Sequence, residues 1–541
     1  IEGSPEVMLL SGDRLVVFSR VYTGWIPTAD PLWEAAITSR WGNFELTKMT
    51  VLDIEDSQDP VVLRELYIEG SYLNGRGIDE SIRMVTHSWS AADGVIWHPF
   101  QVETSLEYQE HLDLVIEMNK ATIMNHTIDY LLPSVHARLG DGSIFSMGAA
   151  DRGCTDDFTI ADDSERGFGL TSIWTLDLAD AALELTATHV TATRSRPILY
   201  SSGDVMVIVS STWLYDDEYR GMQVTHLHQF DVTNPARARF VASTEFFGGL
   251  VDQFAISEKD GYIRVASTLP RHFTYDADGG RIFHNNLNEV KVFENRVDEF
   301  GETILMEVGS IGGIAPGEDI WSARFVDDRA YLVTFRRIDP LWTIDLSNPY
   351  SPVVKGELEI PGVSTYIHPI GDGRLLTIGF SGNNWGLDWR TQVSLFDVTN
   401  ESDPQLADAL PILPVSDWMN GWQWTVSEAT YEHKAFQWWG REQLLAIPLS
   451  TFRPISNYEY EHVSKLLLVK VSENDTLSIH GEVDHSEFYN GPSGNSGIWW
   501  NSVDVRRSIF MGDYLYGIGE NGITVTNLSQ MTEVAKFNIY T

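Results

Sequence analysis

Two aspartates, Asp276 and Asp278 in the stretch Asp276-Ala277-Asp278-Gly279-Gly280, reproduce the opening of a calcium-binding loop. Calcium takes roughly six to eight oxygen ligands, and no acidic residue closes this loop at the required spacing. A plain turn is the better reading, with Asp276 and Asp278 as weak calcium candidates and divalent cations as the alternative partners. The single cysteine, Cys154, excludes an intrachain disulfide, a paired-cysteine metal site and haem attachment. No Gly-x-Ser-x-Gly elbow occurs, and Gly494-Asn495-Ser496-Gly497 has the wrong spacing for one. No HExxH zinc motif, P-loop or nucleotide-binding glycine loop is read. The chemistry-bearing residues thus define no catalytic set, no resident metal and no cofactor.

Tryptophan is concentrated in glycine-rich stretches near the C-terminal end. They carry Trp385 and Trp389, then Trp418 and Trp422, then Trp499 and Trp500, with Trp438-Trp439 at what reads as a hairpin tip. Such loops form either a face for a partner or glycan, or self-packed covers.

The elements that position these residues are set by a repeat. A strand-like run ends in Asp and an aliphatic residue, followed by a short turn that often carries Pro. It reads Thr50-Val51-Leu52-Asp53-Ile54 before Asp59-Pro60, and Gln229-Phe230-Asp231-Val232 before Asn234-Pro235. It recurs as Thr343-Ile344-Asp345-Leu346 before Asn348-Pro349 and as Leu395-Phe396-Asp397-Val398 before Asp403-Pro404. Weaker copies end at Asp177-Leu178 and Asn527-Leu528, and two more, around Val290–Phe293 and Leu467–Val471, lack the Asp. An Asp there can accept hydrogen bonds from N–H groups of the following turn, and Pro stops the strand. Before each copy stands a Gly/Asp turn with alternating apolar residues, as in Asp260-Gly261-Tyr262-Ile263 and Asp372-Gly373-Arg374-Leu375, which reads as a hairpin. Each unit therefore holds four strands, and eight units predict an all-β, eight-bladed β-propeller of four-stranded antiparallel blades. Residues 1–541 form one domain in this reading. Ring closure is expected to bring Val7–Leu10 beside Tyr514–Ile518.

The second blade is interrupted by residues 88–170. Capping-box spacing at Thr104–Glu107 and apolar residues Leu112, Val115, Met118, Ile123 and Ile128 predict helix at about 104–135, ended by Pro133. The insertion is either a docked cover or a partner-binding lid. Strands that a propeller places innermost carry Arg76, Gln253, Arg324, His368, His433 and Arg507. These side chains either tie neighbouring blades or bind a small ligand or anion near the axis.

The chain resembles secreted bacterial and archaeal proteins with a C-terminal β-propeller domain, distantly similar to WD repeats. The resemblance is carried by Ile1-Glu2-Gly3 leading to Val7–Asp13, by Val251–Ser257, by Ser322–Phe325 through Tyr331–Phe335 to Asp339-Pro340-Leu341, and by Tyr431–Phe436. It implies export and a propeller, and it implies no activity and no catalytic residues.

Composition sets the remaining bounds. Of the 541 residues 77 are acidic and 37 basic, a net charge of −40 that repels nucleic acid and anionic lipid. No apolar run is long enough to span a membrane. A start at Ile1 without Met is read as a mature or trimmed form. The expected function is a non-catalytic, secreted, periplasmic or cell-surface propeller that binds or scaffolds a protein partner in an envelope or extracellular assembly. The alternative is a ligand-binding or enzymatic propeller using the inner-strand polar residues.

Overall fold

The computed structural model describes residues 2–37, 45–89, 95–96, 105–127, 132–148, 157–159, 169–192, 197–214, 222–275, 280–335, 339–360, 362–381, 390–412, 425–456, 459–489 and 504–539. Among these residues, eight sheets are each built on four antiparallel strands in meander order. The first holds Ser4–Ser11, Arg14–Tyr22, Glu45–Asp53 and Val61–Glu69, and the second Ser71–Ile78, Ser81–Trp89, Gly169–Asp177 and Leu185–Ala192. The third holds Ile198–Ser201, Val205–Leu214, Met222–Asp231 and Arg239–Phe247. The fourth holds Ile256–Lys259, Tyr262–Leu269, Leu287–Val297 and Thr303–Ile314, and the fifth Asp319–Val326, Arg329–Phe335, Asp339–Asp345 and Val353–Ile360. The sixth holds Val363–Gly371, Arg374–Ser381, Arg390–Asp397 and Gln405–Pro411. The seventh holds Gln437–Trp439, Leu444–Ser456, Glu459–Val471 and Leu477–Asp484, and the eighth Val505–Met511, Tyr514–Gly519, Gly522–Asn527 and Thr532–Asn538. The fourth and seventh sheets, whose sequences lack the repeated Asp, keep all four strands. Residues 1–249 with 295–306 form one compact unit, and residues 250–294 with 307–541 form a second.

The repeat has a hydrogen-bond logic. The Asp carboxylate accepts from the N–H two residues on, at 2.9 Å from Glu55 to Asp53, 3.0 Å from Thr233 to Asp231, 2.9 Å from Ser347 to Asp345 and 3.0 Å from Thr399 to Asp397. The aliphatic residue between them sends its own N–H back to the hairpin turn of the same sheet, as Leu346 does to the Asp328 carbonyl and Val398 to the Gly373 carbonyl. Its side chain is then buried, as at Val232, Leu346 and Val398. The hairpin turns need left-handed backbone, supplied by Asp372 (φ 49°) and Gly373 (φ 67°), where a Cβ on Gly373 would strike Thr399.

Consecutive residues of the middle strands are buried on alternate faces. In the seventh sheet Leu445, Ile447, Leu467 and Val469 join a cluster with Leu376, Ile378, Val393 and Leu395 of the sixth, while Leu444, Ala446, Leu466 and Leu468 join Val505 and Leu515 of the eighth. The first and second sheets share Phe18, Met49, Met84 and Trp174, and the second and third share Ile173, Val190, Met206 and Phe230. Polar ties follow the same neighbours. Buried Arg83 of the second sheet donates to the carbonyls of Val232 and Asn234 in the third sheet's turn, and Arg264 of the fourth sheet donates to the Asp327 carbonyl of the fifth.

Between Trp89 and Gly169 the insertion contains the helix Ser105–Met124. The helix is shorter than the sequence predicts. It closes with N–H groups of Asn125 and His126 bonded to Thr122 and Ile123, and Pro133 precedes the strand Val135–Arg138 instead. Of the apolar residues whose spacing predicts the helix, Val115 is buried and Leu112 half-buried, while Met118 and Ile123 are exposed; Ile128, like Thr104 of the capping box, lies outside the described residues. Val135–Arg138 and Ile144–Met147 extend the first sheet, and Asp157–Thr159 pairs in parallel with Leu185–Ala192 of the second. An unpredicted short helix, Pro31–Ile37, starts where Asp30 accepts the Leu32 N–H at 2.9 Å and Pro31 takes the first helical position.

Leu467 is 1% exposed between two sheets. Leu467→Ala is expected to lower unfolding free energy by roughly 2–5 kcal/mol in urea titration, against less than about 0.5 kcal/mol for exposed Val353→Ala. Turn hydrogen bonds lower the carboxyls of Asp53, Asp231, Asp345 and Asp397, with the Ser347 hydroxyl and N–H bringing Asp345 to about 2. Folded carboxyls held below their unfolded value stabilise fully above the ordinary carboxylate range and lose that stabilisation as pH falls through the folded values. Urea midpoints measured between about pH 5 and 2 are expected to fall steeply, and Asp345→Asn to flatten part of that slope.

Candidate functional site

Four of the six inner-strand candidates converge in the second unit. Each lies on, or on a 3-10 turn leading into, the first strand of a sheet. Asp252 accepts the N–H groups of Phe254 (2.8 Å) and Ala255 (3.2 Å), capping the turn Gln253–Ala255 before the fourth sheet. Glu432 caps His433–Ala435 before the seventh sheet in the same way, accepting the Lys434 N–H at 3.0 Å. Both turns end on a buried alanine, Ala255 or Ala435. An acid three residues before Ala is the sequence signal that pairs these two turns. Strand bulges at Ile320/Ser322 and Ser364/Tyr366 adjust the fifth and sixth sheets' first strands just before Arg324 and Tyr366.

The Gln253 carboxamide nitrogen lies 3.3 Å from the His433 ring nitrogen Nε2. Phe254 meets the His433 ring edge-on at 5.0 Å and the Tyr366 ring at 5.3 Å, and its own ring lies under the Arg324 guanidinium at 4.6 Å. Tyr366 hydrogen-bonds Arg324 and faces His368 Nδ1 at 3.2 Å, while Phe436 packs on both Tyr366 and His368 at 5.2 Å. Burial, then the Arg324 charge, pushes His368 down to about 4, so its ring is neutral at physiological pH. Burial also raises the Asp252 carboxyl against its two N–H donors and Arg324. Phe254, Tyr366, Phe436 and Asp252 were not singled out from sequence, because aromatic residues on a buried strand read as core.

The other two candidates are placed differently. Arg507 joins Arg506 on Glu428, with contacts of 2.9 Å and 2.8 Å, and ties the eighth sheet to the turn ahead of the seventh. Burial pushes the Glu428 carboxyl up, but the two guanidiniums more than offset it and its pKa falls. Arg76 lies on the first strand of the second sheet, in the other unit, where its charge bears on Tyr72.

Of the tryptophans, Trp385, Trp389, Trp418, Trp422, Trp499 and Trp500 lie outside the described residues, as do Asp276 and Asp278. Trp438 and Trp439 do not project from a hairpin tip. They form the strand Gln437–Trp439, half-buried, with Trp439 stacked on Phe510 at 5.0 Å. The string Gly517-Ile518-Gly519-Glu520-Asn521-Gly522 has glycine-loop spacing, but it is the tight turn between two antiparallel strands and no helix follows to receive a phosphate. Among the described residues no three His, Cys, Asp or Glu groups converge to hold a metal ion, and no helix is long and apolar enough to cross a membrane.

The insertion is fastened to the first sheet by a charged network that sequence reading missed. Arg138 reaches Asp30 at 3.1 Å and donates to the Tyr67 hydroxyl at 3.0 Å; Tyr67 in turn bonds Glu2, which also pairs with buried Lys48. Buried Glu69 accepts both the N–H and the hydroxyl of Ser134 at 2.9 Å.

Sheets of four antiparallel strands, stacked face to face in chain order within each unit, define the class of repeat to which propeller blades belong. The family described as "Beta propeller domain" matches residues 1–531, and the chain belongs to it. It is 28% identical to an uncharacterized protein of Methanocaldococcus jannaschii over 322 residues, which is 58% of this chain and 42% of that protein. It is 25% identical to one of Archaeoglobus fulgidus over 320 residues, 59% of this chain and 40% of that protein. The matched region thus spans less than half the length of these archaeal relatives. Sqt1 from Chaetomium thermophilum aligns over 70% of this chain and 81% of its own, at 11% identity and a TM-score of 0.33.

NMR titration is expected to place His368 near its depressed value of about 4. Arg324→Gln is expected to raise it, since one of its two depressing causes is removed. The unfolded chain binds this proton more readily than the folded one, so His368 lowers stability as pH falls from about 6.5 toward its folded value. In limited proteolysis, Arg138→Gln, which loses about 1–3 kcal/mol of docking, is expected to expose the insertion to cleavage well before the sheets.

Proposed function

We propose that the chain is a closed eight-bladed propeller, exported to the cell envelope or beyond, that binds or scaffolds a protein partner and carries out no catalysis. The observation that carries this reading is the helix Ser105–Met124. It presents Leu114 (56% exposed), Ile116, Met118, Ile123 and Met124 (82% exposed) to solvent, on an insertion anchored through Arg138 and Ser134. Exposed apolar side chains on more than one side of an anchored projection are the form of a protein-docking surface. The resemblance to secreted propellers supports export, and the −40 charge supports solubility and basic partners.

Two experiments test it. Leu114, Ile116, Met118 and Ile123 changed together to Ser are expected to abolish a stoichiometric complex seen by cross-linking in native envelope, with an unchanged melting temperature. A clean monomer that turns over a substrate overturns the binding role. For closure, Met8→Cys and Tyr514→Cys in a Cys154→Ser chain are expected to form an intrachain disulfide under mild oxidation, and failure to do so removes the closed ring.

A further inference from the structure

Several guanidiniums among the described residues are held by protein acceptors. Arg83 and Arg264 donate to backbone carbonyls of the next sheet, and Arg506 and Arg507 share Glu428. Arg324 does neither. Among the described residues it forms no ion pair and no backbone bond; one face lies on the Phe254 ring at 4.6 Å, and Tyr366 takes a hydrogen bond. A guanidinium holds five N–H donors in one plane, so a covered face leaves its edge as the direction from which an acceptor arrives. That fork matches a carboxylate.

The surroundings select the body that carries the carboxylate. Phe254, Tyr366 and His433 stand 5.0 to 6.5 Å from one another, at tilted and edge-on angles suited to receiving another flat ring. Arg324, Phe254, Gln253 and His433 are only half-buried, so the group is open to solvent. The neighbouring Asp252 carboxylate, already engaged by its own turn, sets a single negative charge as the limit.

We propose that Arg324, with Phe254, Tyr366 and His433, forms a binding site for an aromatic monocarboxylate, its carboxylate on the Arg324 edge and its ring among the three side chains. The site lies wholly within the second unit. It is independent of partner docking, which uses the insertion of the first, so failure of one reading leaves the other standing.

The test is fluorine NMR of 4-fluorobenzoate against the full chain. Saturable line broadening is expected for the wild type, weakened roughly tenfold or more by Arg324→Gln and unchanged by Arg239→Gln on an exposed strand of the third sheet. Arg324→Lys keeps the charge and the ring contact but loses the fork; it guards against misfolding of the Gln variant and is expected to bind several-fold more weakly than wild type. Inorganic phosphate at equal concentration is expected not to displace the probe. Absence of saturable binding up to about 20 mM, equal affinity in wild type and both variants, or displacement by phosphate overturns the proposal.

Discussion

The second and seventh sheets are apolar and covered on both faces, and the rest of the structure follows from that constraint. In the seventh sheet Leu444–Ile447 and Leu466–Val469 are buried without a break, so alternate side chains need a neighbour on each side. Each Leu or Val fully buried contributes roughly 1.5–3 kcal/mol, and a lone four-stranded sheet would forgo about half of it. Stacking in chain order is the arrangement that covers both faces with short connections. The polar side chains then have one task available at the joints, which is to satisfy the backbone groups that the stacking buries. Arg83 on the Val232 and Asn234 carbonyls does this between the second and third sheets, and Thr343 on the Glu401 carbonyl between the fifth and sixth.

Much of this was legible in the sequence because the turn chemistry is local. Asp345 and Asp397 announce their turns by residue type, and the N–H two positions on completes the bond. The fourth and seventh sheets lack that signal, yet their alternating runs were enough, since period-two burial does not depend on how the strand ends. The bulges at Thr343/Ile344 and Leu395/Phe396 were not legible, because nothing in residue type marks where one strand gains a residue over its partner. The helix was found but misread in length. Its apolar spacing marked a helix, yet Met118 and Ile123 are exposed, so the spacing reports the helix without reporting what covers it.

The candidate site was legible in position and not in composition. Arg324 and His368 lie on the first strands of their sheets and Gln253 and His433 on turns leading into first strands, and that placement brings them together. The rings that give the group its chemistry were hidden among core aromatics. Tyr366 is 9% exposed and Phe436 5%, which is what a core residue shows, and only their contacts with Arg324 and His368 separate them from packing. A strand that lines a cluster and a strand that fills a core have the same pattern.

The excess of acid has its own structural consequence. With 77 carboxylates to 37 basic residues, each cation used at a joint is one fewer to neutralise the surface. Arg14 and Arg374 are taken by repeat aspartates of their own sheets, Arg374 also by Asp475 of the next, and Arg329 by Glu401 across a joint. Cations are thus used both within sheets, as Lys355 on Asp345 and Lys465 on Glu482, and between them, while the excess carboxylates form a negatively charged shell. Self-repulsion of such a shell opposes compaction and is screened by salt, while the half-buried pairs at the joints are screened much less. On this balance added salt is expected to relieve the self-repulsion more than it weakens the half-buried pairs. Against that background Arg324, held on the Phe254 ring, forms no ion pair among the described residues, and the neighbouring Asp252 carboxyl, which feels its charge, is engaged by the N–H groups of its own turn.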